Sequence, residues 1–375
     1  MAGIYIHIPF CKTRCIYCDF YSTTKSNLTN DFIQALCKEI KMRKDYLKGE
    51  PVETIYFGGG TPSQLSLQDF QKIFQTINEI YATSSCKEIT LEANPDDLTP
   101  QYLDQLSQLP FNRISIGIQT FNDPILKLLK RRHSSSQAIQ AVAKAREAGF
   151  NNISIDLMYG LPGETEETWL KDLKQAIALK PEHISAYHLI YEKGTPIYKM
   201  LHKQQVKEVD EEKSILFFTQ LTQQLAKAGY KQYEISNFCL PDKYSCHNTS
   251  YWQGVKYLGC GPSAHSFDGK TREWNISSLT QYIKGIEENN RIHTTELLDT
   301  NTLYNELIIT SMRTCWGLSL EKLSEAFGKE YYDYCLKAAN KYIVGNLLEI
   351  ENNHLKLTPK GLFVSDGIMS DLLKI

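Results

Sequence analysis

The sequence predicts an α/β fold built on a parallel sheet, followed by a smaller α+β module. Three observations carry this expectation. Six short β-branched runs alternate with segments of helical periodicity through the first half of the chain. That alternation stops near residue 200. From about Thr295 the pattern becomes helices closed by a short hairpin.

Strands are expected near residues 4–8, 54–57, 88–91, 113–118, 152–157 and 183–189. Helices are expected near residues 30–47, 67–81, 100–109, 136–148 and 165–179. In the first of these Phe32, Leu36 and Ile40 recur four residues apart on one face. Six β–α repeats in series imply a parallel sheet with right-handed crossovers, either open or a partial barrel. The chain then divides into 1–200 as this unit, 201–294 as an extension of it, and 295–375 as the C-terminal module. In the extension, 211–228 reads as an amphipathic helix and 232–236 as a strand, and a Gly- and aromatic-rich stretch runs over 246–267. In the C-terminal module the polar tip Glu351-Asn-Asn-His separates Leu347-Leu-Glu-Ile from Leu355-Lys-Leu, a hairpin signal. Thr358-Pro-Lys-Gly-Leu starts a last helix, and helices with a terminal hairpin indicate a winged-helix-like domain.

Bulk properties narrow the function. Lys and Arg total 41 against 43 Asp and Glu, so no strong pull toward nucleic acid or anionic membranes is expected. Residues 296–375 hold eight Lys/Arg against eleven Asp/Glu, which makes that module a poor phosphate binder and points to packing or a lid. No apolar stretch approaches the roughly 20 residues of a transmembrane helix. The first ten residues lack a basic n-region and a cleavage site, and read as a strand, not a signal peptide. A cytoplasmic setting follows, in which the ten cysteines form no disulfide framework and a tight cluster of three suggests metal binding.

Those three are Cys11, Cys15 and Cys18, in Cys-Lys-Thr-Arg-Cys-Ile-Tyr-Cys directly after the first expected strand. Thiolates are the usual ligands of iron–sulfur clusters, and a cubane needs four, one per iron. A loop with three leaves one iron open to another molecule. Structural zinc also takes four thiolate or imidazole ligands, usually as two Cys pairs, and no second pair follows. A fourth ligand for zinc would have to come from His7 or Cys37, and His7 reads first as packed on its strand, so spacing favours the cluster.

Later strands also finish in polar or glycine residues. Tyr56-Phe57-Gly58-Gly59-Gly60-Thr61-Pro62 lets backbone approach a ligand closely. Glu92, Gln119 and Asp156 end the third, fourth and fifth strands, and Arg131 lies in a Lys-Arg-Arg run beyond the fourth. Singly, Glu92 and Asp156 read as helix caps, Gln119 as a partner for buried backbone, and Arg131 as a solvated cation. Jointly they offer what an adenosine ribose and a methionine zwitterion need, at the strand ends where α/β folds collect ligands.

With the cysteine triad and Gly-Gly-Thr-Pro in place, the chain resembles the radical SAM superfamily. The resemblance implies a partial (β/α)6 barrel over 1–200. It would hold a [4Fe–4S] cluster on Cys11, Cys15 and Cys18, with S-adenosylmethionine (SAM) at the open iron. Over nearly its whole length the chain is similar to the oxygen-independent coproporphyrinogen III oxidase family. That family's first SAM site maps by motif to Tyr5, Gly59 and Glu92. Its second SAM-associated set maps to Tyr17, Gly60, Thr61, Gln119, Arg131, Asp156 and the backbone of Ile190.

Further features move the match to the HemW-like heme chaperones. The oxidases carry a fourth cysteine two residues after the triad, where this chain has Phe20, and an N-terminal extension ahead of the cluster strand. His247-Asn-Thr-Ser-Tyr-Trp matches the chaperones' H-N-x-x-Y-W motif, and Tyr257-Leu-Gly-Cys-Gly-Pro-Ser-Ala-His-Ser resembles a further family stretch. Histidine is a standard axial ligand of heme iron, and adjacent Tyr and Trp supply flat apolar walls. His247 is thus the leading candidate to ligate heme within 201–294, although a lone His near aromatics is more usually packed or hydrogen-bonded. His265, His188 and Cys246 are the substitutes. The resemblance implies a heme chaperone that passes heme to an acceptor protein and suggests a dimer. The enzymatic alternatives are coproporphyrinogen III decarboxylation and radical methylation.

Overall fold

The computed structural model describes residues 2–374. Met1 and Ile375, the outer limits of the first and last expected segments, lie outside the described residues. Strand β1 (Ala2–Ile8) sets the pattern for the sheet. Ala2, Ile4, Ile6 and Ile8 are buried in the main apolar core, and the alternate residues Gly3, Tyr5 and His7 face the other side. The same alternation recurs in β2 (Val52–Gly59), β3 (Glu88–Ala93), β4 (Arg113–Gln119), β5 (Ile153–Tyr159) and β6 (His183–His188). Their aliphatic face meets the apolar stripes of α1 (Thr29–Met42), α2 (Leu67–Ile80), α3 (Pro100–Leu106), α5 (Ser135–Glu147) and α6 (Glu166–Ala178), with the short α4 (Asp123–Leu128) lying between α3 and α5 in the chain.

Strands β1 to β6 pair in sequence order, all parallel. This is the expected partial (β/α)6 barrel, and its outer strands do not meet. The sheet grows on both sides. Beyond β6 lie the antiparallel β8 (Asn237–Cys239) and β7 (Lys231–Gln232), reached through α7 (Pro196–His202) and α8 (Glu211–Lys227). On the other side β9 (Lys256–Cys260) pairs parallel to β1, and β10 (His265–Phe267), β11 (Thr271–Asn275) and β12 (His293–Leu297) follow antiparallel. The expected strand over 232–236 is instead mostly the turn between β7 and β8. Tyr233 N–H closes that turn on the Asn237 carbonyl (3.1 Å), and its hydroxyl is held by His183 (2.8 Å). The first expected helix stops at Met42, where its cap Arg43 leaves helical geometry (φ −98°, ψ 17°) and successive i→i−3 turns carry the chain to Glu50.

A second apolar cluster joins α11 (Thr300–Met312), α12 (Leu320–Val344) and α13 (Ser365–Leu372) to the small sheet of β13 (Leu318–Ser319), β14 (Leu348–Glu351) and β15 (His354–Leu357). The expected hairpin turns at Asn352 and Asn353, both with positive φ, as a tight two-residue turn requires. No helix among the described residues is long and apolar enough to cross a membrane.

The extension is fastened to the barrel by buried charge. Glu39 on α1 accepts from Gly261 N–H (2.8 Å), Asn275 Nδ2 (2.7 Å) and the Tyr282 hydroxyl (2.6 Å) on α10 (Leu279–Glu287). One turn on, Arg43 donates to the Gly259 carbonyl (2.9 Å), Ser266 Oγ (3.0 Å) and Glu273 (3.0 Å). A buried carboxylate is tolerated only with such a full set of partners. Replacing Glu39 by Ala leaves three donors unpaired, and should lower stability by about 3 kcal/mol. A denaturant titration showing a wild-type midpoint would contradict this.

Candidate functional site

The cysteine loop leaves β1 and is pinned at the C-terminal end of the barrel strands. Thr23 N–H bonds to the Pro9 carbonyl (2.7 Å), Cys11 N–H to Thr23 (2.9 Å) and Ile16 N–H to Leu129 (3.3 Å). The Thr61 hydroxyl donates to Cys11 Sγ (3.4 Å), and Arg131 Nη1 donates to Cys15 Sγ (3.5 Å). Asn94 joins these two donors, giving Nδ2 to Thr61 (3.4 Å) and accepting from Arg131 Nη2 (2.7 Å). Side chains from beyond three successive strands therefore form one chain between two sulfurs. Arg131 also bonds the Gly117 carbonyl, so it is a half-buried structural cation and not a solvated one.

Burial pushes the Cys11 thiol up and the Cys18 thiol up to about 11. Such thiols ionise readily only beside added positive charge. Three thiols, two of them already receiving hydrogen bonds at sulfur, fit a metal–sulfur group. Among the described residues no three His, Cys, Asp or Glu side chains, these thiols included, are grouped closely enough to hold a single metal ion. Neither proposed fourth ligand offers a free atom. His7 Nε2 must donate to the Tyr21 carbonyl (2.9 Å), which leaves Nδ1 to accept from the Tyr5 hydroxyl (3.1 Å). Cys37 lies on α1 with its thiol on the Lys72 carbonyl (3.8 Å).

Beside the loop, Glu92 accepts from the Tyr56 hydroxyl (2.7 Å) and Gly59 N–H (3.2 Å). Burial pushes its carboxyl up to about 7. Gly59 has φ 104°, and a Cβ there would lie 2.5 Å from the His7 ring. A Cβ on Gly60 would lie 2.8 Å from the Ile8 and Phe10 carbonyl oxygens. Only glycine fits this close approach. Gln119 sits at a register shift with φ 72°, a strained conformation for a side chain of its size. Asp156 accepts from Ser115 (3.2 Å), and burial raises its carboxyl above the ordinary range. Tyr17 lies close to Cys15 and Arg131, and burial raises its hydroxyl. Ile190, just past β6, is 63% exposed. Sequence reasoning assigned no role to Asn94 or Tyr56. The period of two that turns Tyr5 inward also turns Tyr56 inward, and that was the available signal.

His247 lies on α9 (Cys246–Trp252) and is 1% exposed. The helix start is held by Glu88, which accepts from the N–H groups of Cys246 and His247 (both 2.9 Å). His247 Nδ1 hydrogen-bonds Thr54 Oγ1 (2.8 Å) and Nε2 the Tyr251 hydroxyl (2.8 Å). Its ring stacks on Tyr56 at 5.0 Å, and burial with Arg113 nearby pulls its pKa down to about 3. A neutral imidazole offers one donor and one acceptor, and two hydroxyls use both. Ligation through Nε2 therefore requires Tyr251 to leave. His188 bonds Ser214 (3.0 Å). A cavity of about 1810 Å³ opens between the barrel, α9, β10 and the C-terminal α11 and α12, with Tyr5, Glu92, Tyr251, Trp252 and His265 on its walls. Phe20 also lines it and is 64% exposed.

Residues 5–176 match the model of the Radical SAM superfamily, and residues 298–364 that of the HemN C-terminal domain. The heme chaperone HemW of Lactococcus lactis is 33% identical over 370 residues, spanning 98% of this chain and 96% of that protein. The heme chaperone HemW of Bacillus subtilis is 35% identical over 333 residues, 88% of each chain. Among solved structures, the coproporphyrinogen III oxidase HemN of Escherichia coli, a radical SAM enzyme, superposes with a TM-score of 0.86 at 23% identity. It covers all of this chain and 90% of that one, a likeness of fold.

Glu92 binds its proton more tightly folded than unfolded. Its contribution to stability is full below pH 4.5 and is lost as pH rises through about 7. Glu92→Gln keeps an acceptor without the charge. The variant should gain on the wild type across that window, by up to about 3 kcal/mol, in unfolding titrations at stepped pH. Parallel curves at every pH would contradict the assignment.

Proposed function

The chain belongs to the HemW family of the radical SAM superfamily, and on that premise we propose that it is a heme chaperone, binding heme and passing it to an acceptor protein. The observation that carries this reading is 33% identity to a heme chaperone along 98% of the chain. The cavity beside α9 supports it, because its walls combine Tyr, Trp and Phe faces with imidazole groups. Phe20, where the oxidases have cysteine, adds an exposed apolar ring to the same cavity. This favours carriage of a flat apolar cargo over the oxidase reaction.

Superfamily membership implies a [4Fe–4S] cluster and SAM. We assign Cys11, Cys15 and Cys18 as the cluster ligands. A cluster held there would supply one-electron reducing power toward SAM. Thr61 and Arg131 would stabilise negative charge on the cysteine sulfurs, as their present hydrogen bonds do. Glu92 offers a carboxylate to the SAM ammonium, beside Tyr5 and the backbone of Gly59. Tyr17, Gly60, Gln119, Asp156 and the Ile190 backbone are proposed to border the same ligand. Thr61 and Arg131 are already committed to sulfur, so we assign them to the cluster and not to a second SAM. The cytoplasm, which keeps thiols reduced, is the setting that suits these ligands.

Protein purified anaerobically should bind hemin saturably, one to one, in a difference-absorption titration. Absence of saturable binding overturns the chaperone reading. Separately, Cys15→Ala should lose nearly all its iron and cluster absorbance while keeping its far-UV circular dichroism. Unchanged iron content would remove the cluster assignment.

A further inference from the structure

Where heme iron would attach is a separate question, and its answer rests on the heme-binding reading above. Four imidazoles line the large cavity: His7, His247, His265 and His354. A heme ligand must present a ring nitrogen lone pair to the cavity. His7 and His247 have both ring nitrogens in hydrogen bonds. His354 opens β15 beside the hairpin turn, with Nδ1 on the Asn352 carbonyl (2.9 Å), which leaves only its Nε2 as a rival. His265 differs from all three. It is exposed, and among the described residues neither of its ring nitrogens is hydrogen-bonded.

Its position is also prepared. His265 pairs with Trp274 across the β10–β11 ladder, and the two rings stack at 5.7 Å and 23°. An imidazole held against an indole loses little freedom when it takes a ligand. Tyr257 and Phe267, on the same paired strands, line the cavity, and Leu307 and Phe327 line it from α11 and α12. A macrocycle needs two apolar faces of this kind. Lys322 at the wall is a cation suited to a propionate.

We propose that His265 is the axial ligand of the heme iron, and that the locked His247–Tyr251 pair forms a wall beside the macrocycle. His247 would then be a positioning residue, keeping Tyr251 and Trp252 turned to the cavity. The test is a hemin titration of the anaerobic full-length protein and its His265→Ala, His247→Ala and His354→Ala variants, with visible and electron paramagnetic resonance spectra. His265 is exposed, so its loss should leave the fold intact. His265→Ala should weaken hemin binding tenfold or more and abolish the histidine-ligated absorption and spin-resonance signature, and added imidazole should restore that signature. Loss of the signature in His247→Ala or His354→Ala, with His265→Ala unchanged, overturns the proposal while leaving the chaperone reading standing. Failure of the wild type to bind hemin removes both.

Discussion

The barrel has a polar inside, and nearly everything else in the molecule answers to that. Each parallel strand gives its aliphatic residues to the helices and its polar residues to the other face. His7, Thr54, Glu88, Arg113, Ser154 and His183 are all buried there. Buried polar groups are stable only when paired, so this face demands partners from outside the six-stranded unit. Alpha-helix α9 supplies them at one end, where Glu88 takes two of its N–H groups and Thr54 its imidazole. Tyr233 supplies one for His183 from the β7–β8 turn. At the strand ends the demand is met differently. Glu92, Asn94 and Arg131 are arranged around the cysteine sulfurs and the glycine loop, where a ligand can complete them.

The same requirement ties distant segments together. Glu39 and Arg43 lie in the last turn and at the cap of a helix of the first unit, yet their partners come from residues 259 to 282. The C-terminal module is attached by polar contacts as well. Cys315 N–H bonds the Tyr233 carbonyl (2.9 Å), and Arg272 pairs with Glu306. The cavity is the space left between these attachments, so its walls come from three parts of the chain.

What the sequence made legible follows from this division. The six strands were readable because Ile4, Ile55, Ile89, Ile114, Ile155 and Ile184 serve the helix-covered face in short β-branched runs. The cluster loop was readable because its three cysteines are local in sequence. The hairpin at Asn352 and Asn353 was readable because its turn chemistry is local too. Strands β9 to β12 were not, since they are three to five residues long and owe their conformation to β1 and to one another. The state of His247 was equally hidden. A histidine in an H-N-x-x-Y-W run reads as an available ligand, and only Thr54, nearly two hundred residues earlier, shows that one nitrogen is taken. Asn94 was visible as a residue but not as the link between Thr61 and Arg131.

One glycine in the extension bears on how freely this sequence can drift. A Cβ on Gly259 would sit 1.9 Å from the His265 carbonyl oxygen. Even a single methyl group would force β9 and β10 apart, and would move the carbonyl that receives Arg43 and the strand that carries His265. Position 259 thus admits no other amino acid as long as the cavity keeps its floor, although it touches neither cluster nor cargo. Invariance there would record the spacing of two strands, and a search for function by invariant side chains would pass over it.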